Sequence, residues 1–195
     1  FYELKGQILL ESGRAKEAIA PLRKAVELFK GTALLRMLLG YNSEAMLYGH
    51  FYGALAECAL GSPERASELA REALAIAEKL DNAYMLTMAL SFTATVLAFT
   101  GDRAGALELA GRALSMSVEN GLPFWTAAAM TTTGIAQLWS GDTAAALGSL
   151  RGGYGLMRAI GCTVVVPMWG SWLAEALLAN GEIDGRVGPA RNGRL

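Results

Sequence analysis

Histidine, cysteine and net charge are all scarce in this chain, and each scarcity removes a class of function. His50 is the single histidine among 195 residues, and the two cysteines, Cys58 and Cys162, lie far apart and outside any CxxC. One histidine with two scattered thiols does not make a zinc site of familiar spacing, so no metal and no cofactor is expected. The cysteines read as small buried hydrophobes of a reducing, cytoplasmic setting, a disulfide being the alternative. Charged residues make up 18% of the chain, below the roughly 25% of average soluble domains. The 17 basic residues face 18 acidic ones, for a formal charge of −1. That balance gives no electrostatic footprint for nucleic acid or an anionic membrane surface, and neither is expected as a partner.

Two stretches, Asn82 to Gly101 and Asn120 to Gly141, carry no charge at all and are long enough to span a bilayer. Polar side chains interrupt both. The first holds Asn82, Thr87, Ser91, Thr93, Thr95 and Thr100, and the second Pro123, Thr126, Thr131, Thr132, Thr133 and Gln137. Such density suits helices buried between other helices better than helices facing lipid, so a membrane is not the expected setting.

What the chain has in quantity is alanine, leucine and glycine. The first two are strong helix formers, and the glycines are not scattered. Gly61, Gly101, Gly141 and Gly181 follow one another at a constant step of 40, and Gly13 precedes Gly61 by a longer gap. The extra residues are expected within Gly31–Ser43, which contains the breakers Gly40, Tyr41, Asn42 and Ser43. Other columns keep the same phase. Seven positions before each mark stands Gly6, Ala54, Ala94, Gly134 or Ala174; five after it, Ala18, Ala66, Ala106 or Ala146; twelve after it, Ala25, Ala73, Ala113 or Gly153. In the fifth unit Arg186 takes the expected alanine place. Small residues at these points let two helix axes approach closely, and the marking glycine can end a helix in the left-handed conformation.

Between the marks the pattern is helical. Ala66, Leu69, Ala70, Ala73, Leu74 and Ala77 recur at three- and four-residue steps, with Arg65, Glu68, Arg71, Glu72, Glu78 and Lys79 on other faces. That is an amphipathic helix with one buried face. Asp102 and Asp142 are placed to cap helices, Pro63 suits a first turn, and Asp81-Asn82, Asn120-Gly121 and Ile160-Gly161 end the second helices. A lone helical hairpin cannot bury its apolar face, whereas stacked hairpins can. The expected fold is therefore all-α, a solenoid of about four and a half helix–turn–helix repeats over residues 1–185, followed by an irregular tail at 186–195. A fifth first helix, about Val164–Asn180, is expected without a full partner.

The small-residue columns, the glycine turn and the helical pairs resemble the tetratricopeptide repeat, although a unit of 40 exceeds that repeat's usual ~34 residues. From Glu68 to Ile183 the wording is similar to something narrower. Asn120-Gly-Leu-Pro-Phe-Trp125, Arg158-Ala-Ile-Gly161, Pro167-Met-Trp and Leu173-Ala-Glu-Ala176 before Asn180-Gly-Glu resemble the C-terminal helical-repeat region of large bacterial signalling proteins. Those proteins carry an adenylate/guanylate cyclase domain, or a winged-helix or LuxR-type DNA-binding domain, with an ATPase module. The resemblance implies that catalysis and nucleotide binding lie upstream, with none of their residues in this chain. Phe1 opens without Met inside a helical pattern, and the expectation is a piece of a longer protein.

Local catalytic signals are weak. Gly152-Gly153-Tyr154-Gly155 invites a phosphate-loop reading, but Arg158 stands at the third glycine position and no strand precedes it, so close helix packing or a kink is the expected role. Gly148-Ser149-Leu150 lacks the G-x-S-x-G elbow. Glu68, Glu72 and Glu78 sit among basic neighbours as a solvated face. His50, flanked by Tyr48, Phe51 and Tyr52, reads as a packing histidine. An enzyme gathering its residues from different repeats stays open as a rival.

The resemblance to tetratricopeptide stacks implies a concave side lined by the first helix of each pair. Projecting the repeat phase onto the third to fifth units gives Met88, Ser91, Thr95 and Phe99; Ala128, Thr131, Ile135 and Trp139; and Met168, Ser171, Glu175 and Leu178. This face is apolar and hydroxyl-bearing, and it lacks the Lys/Arg/Asn clamp with which some such repeats hold a terminal carboxylate. The alternative for Phe99 and Trp139 is packing against the next helix. The function expected is a non-catalytic interaction or regulatory module that holds an apolar peptide or a neighbouring domain in the groove. The rivals are a small-molecule effector sensor and a homodimerising self-association element.

Overall fold

A computed structural model describes residues 1–30, 43–163 and 166–182. Among these residues all regular structure is helical. The helices are α1 (Tyr2–Glu11), α2 (Ala15–Phe29), α3 (Ser43–Ala59), α4 (Pro63–Ala77), α5 (Ala83–Thr100), α6 (Arg103–Glu119), α7 (Pro123–Trp139), α8 (Thr143–Ala159) and α9 (Val166–Ala179). Helices α3, α5 and α7 start at Ser43, Ala83 and Pro123, and α4, α6 and α8 at Pro63, Arg103 and Thr143, so both series keep the step of 40. The first hairpin is α1–α2, and α9 stands as the fifth inner helix. Apart from Ser43, the expected insertion at Gly31–Ser43 lies outside the described residues, as do the end of the repeat domain at 185 and the tail at 186–195.

The turns are written by backbone conformation. Gly61, Gly101 and Gly141 close the first helix of their pairs with φ of +80°, +94° and +88°, and Gly121 and Gly161 close second helices at +62° and +74°. At the equivalent place after α4 stands Asp81, with φ +45°. A side chain there costs about 1–2 kcal/mol that glycine does not incur, partly offset by glycine's greater unfolded-state entropy of about 0.5–1 kcal/mol. Asp81→Gly is therefore expected to stabilise by about 0.5–1 kcal/mol, a rise of about 2 °C in a thermal melt. The helix starts are equally legible: the Asn82, Asp102 and Asp142 amide or carboxylate oxygens accept from the backbone N–H of Met85, Gly105 and Ala145 at 3.0, 3.0 and 3.2 Å.

The small-residue columns are the seams between helices. Ala18, Ala66, Ala106 and Ala146 are completely buried, as are Ala54 and Ala94. A Cβ added to Gly6 would overlap the Leu22 side chain, and one added to Gly134 would lie 2.5 Å from Leu150 Cγ and 3.1 Å from the Ala146 carbonyl. The regular spacing thus places small residues where first and second helices cross, and the leucines of the second helix fill the gap.

Successive units join in two ways: each second helix packs on the next first helix, and each first helix also touches the next first helix. The first helices α1, α3, α5, α7 and α9 consequently form one inner layer. Exposed ion pairs repeat with the stack. Arg71 meets Asp102 at 2.9 Å, and two units on Arg151 meets Glu182. At their exposure such pairs add little stability, roughly 0–1 kcal/mol, and serve to mark register.

Helix α5 is long and apolar enough to cross a bilayer. Here it is the centre of the stack. Thr93 donates to the Ala70 carbonyl of α4 at 3.0 Å, and Thr95 and Thr132 share a 2.9 Å hydrogen bond between α5 and α7. Thr87, Ser91 and Thr95 donate to carbonyls one turn back in their own helix, at 2.7, 2.9 and 2.9 Å, which is how hydroxyls are tolerated in a buried helix.

Candidate functional site

The inner layer encloses a channel of about 590 Å³ that all five first helices border. Gln7, Leu10 and Glu11 come from α1; Tyr48, Phe51, Tyr52 and Leu55 from α3; Ser91, Phe92 and Thr95 from α5. Helix α7 gives Phe124, Trp125, Ala128, Thr131, Thr132 and Ile135, and α9 gives Met168, Trp169 and Trp172. That α1 and α9 line the same space means the stack curls into a cup. Its volume lies within the roughly 300–1,000 Å³ of small-molecule sites.

A belt of rings runs round the wall. Tyr52 leans on Phe51 (centroids 5.3 Å), Phe51 stacks on Phe92 (3.9 Å, 7° between planes), and Phe92 meets the edge of Trp125 (5.3 Å). Trp125 then meets Phe124 at 4.9 Å, and Phe124 reaches Trp169 at 6.5 Å. The belt crosses α3, α5, α7 and α9, so the Phe51–Phe92, Phe92–Trp125 and Phe124–Trp169 contacts each tie two successive units. Burial raises the Tyr48 phenol to about 12, with Tyr84, Glu44 and Glu3 adding to the effect. Burial, with Glu11, Tyr48 and Glu3, raises Tyr52 as well. Both phenols are neutral at physiological pH.

The residues expected on the concave face separate into two groups. Ser91, Thr95, Ala128, Thr131, Ile135 and Met168 lie on the channel wall. Met88 does not: it is completely buried among Met46, Leu47, Ala73, Ala77, Met85, Ala89 and Trp125, because α3, α4 and α7 close over that end of α5. Phe99 and Trp139 stand off the channel and pack on each other at 5.6 Å, with Trp172 at 5.9 Å from Phe99, which is the packing alternative. Ser171, Glu175 and Leu178 are exposed on α9, away from the wall, and the Ser171 hydroxyl donates to the Met168 carbonyl at 2.6 Å.

The sequence projection missed a column. Tyr52, Phe92, Thr132 and Trp172 share one phase of the repeat, and all four line the channel. They sit one position beyond the projected Ser91–Thr131 column, and starting the projection at the third unit also left out Tyr48, Phe51 and Leu55. The signal was present in the repeat phase as three aromatics in four places.

Chemically the wall is mostly apolar and aromatic. Among the described residues the lining includes no histidine, lysine, arginine or cysteine, and no group of His, Cys, Asp and Glu is placed to hold a metal. The Gly152–Gly155 run lies within α8, where Gly153 approaches the Ala127 carbonyl of α7, so its role is close packing.

His50 lies elsewhere, fully buried in α3. Its Nδ1 is 2.9 Å from the Met46 carbonyl, while Nε2 has no hydrogen-bond partner and stands 3.7 Å from Glu72 Oε2. Lys30 and Arg65 face the same carboxylate at 3.6 and 4.0 Å. Burial lowers the His50 pKa, outweighing the Met46 hydrogen bond and Glu72. The folded state therefore takes up a proton less readily than the unfolded chain, and stability is lost as pH falls through the unfolded histidine range near ~6.5. Urea unfolding at pH 7 and pH 5 is expected to show this loss, and His50→Phe should remove part of it. An equal loss in both proteins would assign the whole effect to carboxylates.

Comparison with known proteins comes from structure alone. No protein-family model and no curated protein matches the chain. Among solved structures, a Podosopora anserina protein described as a kinesin light chain with nearly identical TPR-like repeats superposes with a TM-score of 0.60 at 17% identity. A single-substitution variant of it gives 0.61, also at 17% identity, and both matches cover 93% of this chain and 86% of theirs. The fold is a TPR-like α-solenoid. At that identity the likeness carries architecture only, and the tetratricopeptide-like chain must be read for function from its own channel.

Proposed function

We propose that this chain is a non-catalytic recognition module that holds a compact apolar ligand in its inner channel and transmits occupancy through the stack. One observation carries the reading: five first helices converge on a single ring-lined space of about 590 Å³. Apolar cavities of that size with few polar groups suit small ligands or a short anchoring segment. The channel is partly open, so an effector-sensing role and the capture of a short apolar peptide both suit it. A peptide side chain or a loop of a neighbouring domain is the second occupant the lining suits. Ligand bound across α1 to α9 would stiffen the curl of the repeats, a change that a neighbouring domain can read. The wording around Asn120–Trp125 supports placing the module in a bacterial multidomain signalling protein, and coding sequence upstream of residue 1 tests that placement.

The channel itself is tested with N-phenyl-1-naphthylamine, a compact neutral probe whose emission rises and shifts blue in apolar surroundings. We expect one-to-one binding to the wild-type chain. Ala128→Trp, which fills the channel from a half-buried wall position, should weaken it at least about tenfold with the helical circular dichroism unchanged. Binding that survives this substitution intact would contradict the proposal.

A further inference from the structure

The channel has a sign. Of the described residues that line it, one is charged, Glu11 of α1, and Gln7 Nε2 donates to its Oε1 at 2.8 Å. Two more carboxylates, Glu3 and Glu44, are near enough to Tyr48 to act on its ionisation. Glu44 is 3.5 Å from the Tyr84 hydroxyl, and neither it nor Glu3 lines the channel, so Glu11 is the carboxylate that belongs to it. No described lysine or arginine reaches the lining.

Several hydroxyls of the wall are already engaged. Ser91, Thr95 and Thr131 give their hydroxyl protons to carbonyls of their own helices, at 2.9 Å in each case. The Trp125 ring meets Tyr84 edge to face, with centroids 6.1 Å apart. Besides the Tyr48 and Tyr52 hydroxyls and the Trp169 and Trp172 indoles, the wall presents ring faces, whose quadrupoles carry negative potential. A desolvated cation among several rings is stabilised, and an anion in the same place is repelled.

We propose that the channel is a site for a lipophilic organic cation: a compact apolar or aromatic body bearing one quaternary or protonated-amine charge, packed against the ring belt with the charge toward Glu11. This rests on the reading of the channel as a ligand site and adds the ligand's chemical class. The body gains by leaving water, and the head gains from Tyr48, Tyr52 and the carboxylate.

The test compares tetraphenylphosphonium with tetraphenylborate, ions of nearly the same shape and opposite charge, and with neutral triphenylphosphine oxide. Calorimetry on the whole chain at low salt is expected to give one-to-one phosphonium binding at least about tenfold tighter than borate. Glu11→Gln, at an exposed position that does not support the core, should weaken the phosphonium about three- to fivefold and leave the neutral compound unchanged. Equal binding of the two ions, or no effect of Glu11→Gln, overturns the cation assignment while leaving an apolar site. Failure of all three compounds to bind overturns the ligand site itself.

Discussion

Trp125→Ala is expected to lower the melting temperature by about 10 °C. Trp125 is 3% exposed, and truncating a buried tryptophan costs about 3–5 kcal/mol because transfer energy and a large void add. At roughly 2–4 °C per kcal/mol for a chain of this size, the shift is easily read. The ring packs on Phe92, Phe124 and Tyr84 and joins the cluster containing Met46, Leu47 and Met88. Its removal therefore loosens contacts between α3, α5 and α7. In a solenoid, stability is nearly a sum of unit and interface terms, so hydrogen exchange should accelerate in these central helices more than in α1. Uniform acceleration along the whole chain would instead mean one indivisible core.

Gly153→Val is the second. A Cβ at this position lies 2.8 Å from the Ala127 carbonyl and 3.1 Å from the Thr131 amide, and it overlaps the Thr131 hydroxyl. These atoms belong to the α7 backbone or to a side chain hydrogen-bonded to it, so α7 and α8 must separate. Overpacking of that kind costs about 3 kcal/mol, or about 6–12 °C. The same run supplies its own control. Nothing lies within 4 Å of a Cβ at Gly155, and Gly155→Ala should be neutral or stabilise by up to about 1 kcal/mol through helix propensity. Equal responses at 153 and 155 would remove the close-approach account of this glycine run.

Much of the architecture was written in the sequence because it is periodic. Gly61, Gly101 and Gly141 mark turns that need positive φ, and the alanine columns mark seams that admit no larger side chain. Both constraints act through the backbone, so they survive whatever each helix carries on its outer face. The channel was harder to read, because which columns reach it depends on how tightly the stack curls. Curvature follows from side-chain volumes at every interface and is not stated by any one residue. Met88 shows the consequence: it shares a helical face with Ser91 and Thr95, yet neighbouring helices cover it completely. Tyr52, Phe92 and Trp172 show the converse, lying one position beyond the projected stripe and forming the wall. Glu11 was missed for a simpler reason: the projection began at the third unit, although Glu11 stands two positions before Gly13 as Phe99 and Trp139 stand before Gly101 and Gly141.

The account depends most on the curl that brings α1 and α9 to one channel. In a chain carrying Cys58→Ala and Cys162→Ala, spin labels at Glu11 and Met168, both on the channel edge, report this separation through pulsed dipolar spectroscopy. Labels facing each other across one small cavity of the size typical for ligands should give a narrow distribution centred near ~20 Å. Five first helices laid side by side at about 8–10 Å per step would place the same labels roughly 32–40 Å apart. A distribution centred there would contradict the enclosed channel and the ligand site built on it.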